Sequence, residues 1–338
     1  MNSPSLALGR VLREHAAPVH SIDFTKDGEL MLTAASDGRV CLYDCQLGVL
    51  KRASQCRTHS VGRARLTHDP LTAVVAVGEE GSHDDSPTSV GALRYLSLHD
   101  NQYLRAFLGH TASVCSLDMS PKDDWFASAA ADDTARMWDV RVERCQGVLS
   151  FEGPQRSLRP ALSFDPHGLV LAAALCGGLV KLFDVRALQK GPFTTFDLQQ
   201  IGGKIGFANI NFNYDGALMA LGTSAGVVLV LDAFNGEVLR QFRGHVNDQG
   251  VPLEACFSPD STQVLCGSED GSVWRWALGQ EQPQANALAE AQLTPQHLPP
   301  LTGDLTRHSE AVRVVRSNPT RTLVASACSS IFLWLQAN

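Results

Sequence analysis

Hydrophobic and polar residues alternate in short runs along this chain, and each run stops at turn-forming residues before the alternation resumes. The segment from Gly109 to Asp139 shows this most clearly. Val114-Cys115-Ser116-Leu117-Asp118-Met119 alternates, Ser120-Pro121-Lys122-Asp123 turns, and Trp125-Phe126-Ala127-Ser128-Ala129 forms a second run. Asp132-Asp133 turns again, and Thr134-Ala135-Arg136-Met137-Trp138-Asp139 forms a third. A period of two predicts strands, because successive side chains of an extended backbone leave on opposite sides. Gln146 to Phe151 fits a fourth strand, so the predicted unit is a four-stranded sheet.

The same order of residues recurs along the chain. From His15 to Asp44 the turns are Asp27-Gly28 and Asp37-Gly38, and the ending is Leu42-Tyr43-Asp44. Later endings are Leu182-Phe183-Asp184, Val230-Leu231-Asp232, Trp274-Arg275-Trp276 and Phe332-Leu333-Trp334, with a divergent one at Leu96-Ser97-Leu98-His99-Asp100. Seven endings in 338 residues give about 48 residues per unit, close to the roughly 40–45 of a WD repeat with insertions. One such sheet cannot shield both of its faces from water, so the units must stack about an axis. The expectation is an all-β, seven-bladed WD40 β-propeller forming a single domain over residues 1–338. Only Leu335 to Asn338 follow the last ending, too few for an outer strand, and the run Ala7 to Arg13 is expected to supply it and close the ring. Exposed insertions are expected near residues 79–91 and 280–306, the second carrying Pro283, Pro295, Pro299 and Pro300.

Composition narrows the function classes. With 28 Lys and Arg against 35 Asp and Glu, the formal charge is -7, which disfavours general attraction to polyphosphate and direct sequence-specific nucleic-acid binding. The nine cysteines are odd in number and contain no C-x-x-C pair. They suit neither a disulfide framework nor a zinc knuckle, and a reducing compartment is expected. The longest apolar stretch, Leu169 to Phe183, is broken by Gly177, Gly178 and Lys181, so no membrane segment is expected.

His110, Ser128 and Asp132 are the residue types of a nucleophilic triad. Their places in the repeat predict a structural role instead: a buried hydrogen-bonded staple from Trp138 through Ser128 and His110 to Asp132. Degraded copies occur at His245, Cys266, Asp270 and Trp276, and at His15, Thr33, Asp37 and Tyr43. A catalytic set would not recur in decay around a ring, so no catalytic residue and no enzyme activity are expected. The acidic loop from Glu79 to Asp85 lacks the register of a calcium loop, and Gly202-Gly203-Lys204-Ile205-Gly206 lacks phosphate-loop spacing. No metal or cofactor is expected.

Propellers bind through rim loops and the mouth of the central channel. Residues beside the first valine of each repeat should point there, which selects His20, Ser113, Cys115 and Arg313, with Arg63 and Arg65 from the divergent second unit. Arginines so placed suit bidentate contact with phosphoserine. Trp138-Asp139-Val140-Arg141 and Phe183-Asp184-Val185-Arg186 resemble the W-D-x-R box by which some propellers join a cullin ubiquitin ligase adaptor. That makes Arg141 a partner-binding candidate and a substrate receptor the alternative function.

Several stretches outside the repeat consensus carry a closer likeness: Arg94-Tyr95-Leu96-Ser97-Leu98-His99-Asp100-Asn101, Leu42-Tyr43-Asp44-Cys45-Gln46, Cys145-Gln146-Gly147, Ser163-Phe164-Asp165-Pro166, Val180-Lys181-Leu182-Phe183-Asp184-Val185-Arg186 and Lys190-Gly191-Pro192-Phe193. Through them the chain resembles the WD-repeat subunits shared by COMPASS-type histone methyltransferase complexes and by transcription-termination machinery containing PNUTS, the nuclear-targeting subunit of type-one protein phosphatase. The resemblance implies a nuclear, non-enzymatic scaffold, a monomeric propeller within a hetero-complex. Its implied partners are a histone methyltransferase subunit, the phosphatase nuclear-targeting subunit and the phosphorylated tail of RNA polymerase II. The stretches 79–91 and 280–306 and the Gly202-Gly203 region depart from that family.

Overall fold

The computed structural model describes residues 6–56, 60–78, 91–151, 159–199, 206–279 and 307–336. Residues 79–90, 200–205 and 280–306 lie outside these, and with them the acidic loop, most of the Gly202 to Gly206 stretch and the proline-bearing insertion.

The strands form seven antiparallel sheets. Blade one comprises Val19–Phe24, Leu30–Ala35, Arg39–Asp44 and Val49–Gln55; blade two comprises Val61–Leu66, Thr72–Val77, Leu93–Ser97 and Gln102–Phe107. Blade three runs through Val114–Met119, Trp125–Ala130, Thr134–Asp139 and Val142–Ser150. Its outer strand starts four residues earlier than Gln146, because a tight turn at Val140-Arg141 pairs Asp139 directly with Val142. Blade four holds Ala161–Phe164, Val170–Leu175, Leu179–Asp184 and Thr194–Asp197, and blade five Phe207–Phe212, Leu218–Thr223, Val228–Asp232 and Val238–Phe242. Blade six shows Ala255–Phe257, Gln263–Gly267 and Val273–Ala277 among the described residues. Blade seven combines Val314–Ser317, Leu323–Ala327 and Ile331–Gln336 with Leu6–Leu12 from the other end of the chain.

Alternation along the second strand of each blade explains how the blades stack. In blade one, Met31 packs among residues of blade seven while its neighbour Leu32 packs among residues of blade two. In blade four, Leu171 and Ala173 face blade three, and Ala172 and Ala174 face blade five. Both faces of these strands are therefore apolar, which is why the runs read as continuously hydrophobic. The result is seven apolar layers, one between each neighbouring pair of blades. At about 1.5–3 kcal/mol per fully buried large side chain, these layers supply the main force that holds the ring together.

Polar side chains on the inner strands fix how neighbouring blades are aligned. Asp23 of blade one accepts from the Leu66 amide of blade two at 2.8 Å, Asp118 of blade three from the Phe164 amide of blade four at 2.8 Å, and Asn209 of blade five from the Ala255 amide of blade six at 3.0 Å. Each uses a short inner-strand side chain, Asn209 two residues nearer the strand's start than the two aspartates, to satisfy a main-chain donor that no ladder partner reaches.

The seam is a main-chain zipper. Leu6 pairs with Gln336 and Leu12 with Ile331, so the ring closes through an N-terminal strand spanning Leu6–Leu12. Across the junction to blade one, Asn318 Nδ2 donates to Gly28 O at 2.8 Å and Thr320 Oγ1 to Asp27 O at 2.8 Å.

Candidate functional site: the channel mouth

The inner strands start at one edge of the disc, and their first residues surround the opening of the central channel. His20, Arg63, Ser113, Cys115 and Arg313, drawn from four blades, line one depression there with Arg159 and Glu254. The starting position of each inner strand places them together, as the alternation from the first valine requires.

Arg63 is held firmly. Its Nη1 donates to His20 O at 2.8 Å and to Glu254 Oε1, and its Nε to Cys115 O at 3.1 Å. Glu254 is also approached by Arg316, Nη2 to Oε2 at 3.4 Å, and Arg316 Nη1 donates to Asn211 Oδ1 at 2.6 Å. Burial alone would raise the Glu254 pKa, but Arg63, Arg316 and Arg65 outweigh it and hold the carboxyl below its ordinary range. Burial pushes the Cys115 thiol up to about 12 against the opposing pull of Arg63 and Arg159. Cys115 therefore stays protonated at neutral pH and is a poor nucleophile.

Arg65 lies away from the mouth, contrary to its expected place there. Two residues further along the same strand, it sits about 6.6 Å deeper in the channel, with a side chain only 11% exposed. It reaches Ser21 Oγ at 3.1 Å and Asp118 Oδ1 at 3.5 Å. Three arginines, Arg63, Arg65 and Arg316, thus face three carboxylates, Asp23, Asp118 and Glu254, along the channel wall. Removing one member of such a buried set costs about 3–5 kcal/mol, because its partner is left charged and dry. Arg313 differs: among the described residues its side chain has no hydrogen-bond or ion-pair partner.

Arg141 occupies the turn between the third and fourth strands of blade three, at the opposite edge of the disc. It forms a forked pair with Asp139, Nε to Oδ1 at 2.9 Å and Nη2 to Oδ2 at 2.7 Å. Arg186 repeats this on blade four with Asp184, at 3.1 Å for both contacts.

The staple residues of blade three meet inside the sheet. Trp138 Nε1 donates to Ser128 Oγ at 2.8 Å, Ser128 Oγ lies 2.8 Å from His110 Nε2, and His110 Nδ1 lies 3.0 Å from Asp132 Oδ2. A proton on Nδ1 directed to the carboxylate leaves Nε2 to accept the serine hydroxyl, so every polar atom of the chain is used. Burial lowers the His110 pKa in spite of Asp132, which keeps the ring neutral. With its hydroxyl between two buried rings, Ser128 is 0% exposed, out of reach of any substrate. Blade seven carries a set that escaped sequence reading: His308 Nε2 and Trp334 Nε1 both bond Ser326 Oγ at 2.8 Å, while Cys328 Sγ, 3.2 Å from His308 Nδ1, takes the place of the aspartate.

The model of the WD domain, G-beta repeat, matches residues 7–44, 101–139 and 236–276. WD repeat-containing protein 82 of Drosophila melanogaster is 36% identical over 332 residues, covering 98% of this chain and 94% of that protein. The Set1 complex component swd2 of Schizosaccharomyces pombe is 26% identical, covering 94% of this chain and 92% of that protein. The COMPASS component SWD2 of Saccharomyces cerevisiae is 26% identical, over 93% and 89%. With a 36% match running almost end to end through all seven blades, the chain belongs to the WD-repeat propeller family that includes WD repeat-containing protein 82 and the Swd2 components.

Proposed function

We propose that this propeller is a non-enzymatic scaffold subunit of a nuclear histone methyltransferase complex of the Set1/COMPASS type. Its near full-length likeness to Set1 and COMPASS components supports that reading. We extend it to two finer roles: docking the nuclear-targeting subunit of type-one phosphatase, and holding the phosphorylated tail of RNA polymerase II at the channel mouth. One observation carries the second role. Arg313 stands at the opening without an ion-pair partner among the described residues, beside Arg159 and His20, while Arg63 is occupied by Glu254. A guanidinium with free donors fits two phosphate oxygens at once. His20, Ser113 and Cys115 frame the anion, and Arg63 stiffens the frame. Arg65 acts through the channel wall, and Arg141 serves as a separate rim contact.

The test is phosphopeptide capture by the full chain. Arg313→Glu is expected to weaken binding of a serine-phosphorylated polymerase-tail peptide about tenfold or more, as loss of a charge-assisted pair does, without moving the unfolding temperature. Undiminished capture overturns the assignment of the mouth. Affinity purification from cells checks the scaffold separately: methyltransferase and phosphatase subunits support it, and recovery of a cullin adaptor in their place overturns it.

A further inference from the structure

The edge of the disc opposite the mouth carries a second surface of different chemistry. Three of its aromatic side chains stand in solvent: Phe193 is 57% exposed, Tyr214 72% and Phe234 81%. Apolar groups normally retreat from such positions, and aromatic residues at loop tips are the usual anchors of protein recognition.

The two blade-five aromatics belong together. Tyr214 lies in the turn between the first and second strands of blade five, and Phe234 in the turn between its third and fourth. The Ala233 amide donates to Ala217 O at 2.8 Å, tying the two turns side by side. Phe193 immediately precedes the outer strand of blade four. That strand supports the blade-five turn: a Cβ at Gly236, which has φ +73°, would sit 2.1 Å from the Phe196 ring. Only glycine lets the turn bearing Phe234 lie so close to blade four.

The charge on the two blade-five turns is of one sign. Asp215, Asp232 and Glu237 flank the two blade-five aromatics, and none pairs with a cation among the described residues. Asp215 and Asp232 accept turn amides at 2.8–2.9 Å, which fixes their carboxylates at the tips. Among the cations on the outer parts of these two blades, Arg186 is forked onto Asp184, Arg240 donates to its neighbour's carbonyl, Leu239 O, at 2.8 Å, and Lys190 is exposed beside Phe193. An exposed aromatic beside unpaired carboxylates favours a cation: the ring face attracts it and the carboxylate completes the pair.

We propose that the turn tips of blades four and five form a docking surface for an extended, lysine- and arginine-bearing segment of a protein partner. It lies on the edge away from the cationic mouth, so an acidic or phosphorylated ligand and a basic one can occupy the disc together. The surface stands whether or not the mouth binds phosphate.

The experiment uses the full chain and a fluorescein-labelled peptide made of three Lys-Arg-Pro-Ser repeats, read by anisotropy, with a Glu-for-Lys-and-Arg peptide as its counterpart. The basic peptide is expected to bind and the acidic one not. The paired substitution Tyr214→Ala and Phe234→Ala is expected to weaken binding about tenfold, the effect of two cation–ring contacts, with thermal unfolding unchanged. Glu237→Lys, at an exposed side chain that makes no structural bond, weakens it several-fold, whereas Leu47→Ala on the blade-one turn has no effect. If the double aromatic variant binds within about twofold of the parent, or the acidic peptide binds as well as the basic one, the proposal fails.

Discussion

Blades three and six are built on the same plan and differ in what happens beside their tryptophans. In blade three, Trp138 is fully buried, lies flat against Phe126 with ring centres 6.2 Å apart, and ends a hydrogen-bonded chain that runs to Asp132. In blade six, Trp276 is equally buried and lies against Phe242 at 5.3 Å, but Cys266 stands where the serine should be. Among the described residues, the indole Nε1 of Trp276 and Nδ1 of His245 are buried without partners. Asp270 has turned away to Arg307 at 2.8 Å and Ser272 at 2.5 Å. The packing survives the loss of the polar chain. Apolar burial is therefore sufficient to place the tryptophan, and the hydrogen bonds add stability and a unique arrangement on top of it.

Ser128→Ala should give the largest effect, because it strands the Trp138 and His110 nitrogens together. At about 1–3 kcal/mol for each buried unsatisfied group, a loss of roughly 3 kcal/mol is expected in denaturant unfolding. A loss below about 1 kcal/mol would mean that blade three gains no more from its chain than blade six does without one.

Counted per histidine, acid should have the next largest effect. Burial holds both His245 and His308 down to about 4. Each folded pKa lies below the unfolded value near 6.5, so the unfolded chain takes up protons that the fold refuses. Stability is whole above about pH 6.5, falls as pH drops below that, and levels off below about 4. Between pH 6.5 and 5 the expected loss is on the order of 2 kcal/mol per histidine. Unfolding midpoints that stay flat from pH 7 to 5 would show that these rings are already charged in the fold.

Cys266→Ser should have the smallest effect, and in the opposite direction. It returns an acceptor to Trp276 and a hydroxyl to His245, for an expected gain of about 1 kcal/mol, read as a higher unfolding midpoint. A loss of stability would show that blade six has repacked around sulfur and no longer has room for the staple.

What could be read from the chain followed from local spacing. His110, Ser128, Asp132 and Trp138 were legible because their offsets repeat within one blade, and His20, Ser113, Cys115 and Arg313 because each adjoins the valine that starts an inner strand. The carboxylates facing the channel arginines were not legible. Glu254 is 191 residues from Arg63, and no local period connects them. Arg65 illustrates the same limit: its strand, face and depth follow from its spacing to Arg63, but its partners Ser21 and Asp118 come from blades one and three and make it a wall strut rather than a ligand contact. The blade-seven set was missed because its turn is shorter and the aspartate's role falls to Cys328, two residues after Ser326 rather than four, which only the 3.2 Å contact to His308 makes visible.

The pairing of Leu6 with Gln336 also has a consequence in time. During synthesis the segment Leu6–Leu12 must wait, unpaired and with one apolar side, until Ile331–Gln336 has left the ribosome. Its partner follows six intervening blades in the chain, so their sheets must hold open a gap of the right width before the final zip can occur. Bringing such distant ends together carries a loop-closure penalty that no earlier contact relieves. A nascent chain stalled before Ile331 would therefore expose both an edge strand and an apolar layer, and is a natural client for chaperones.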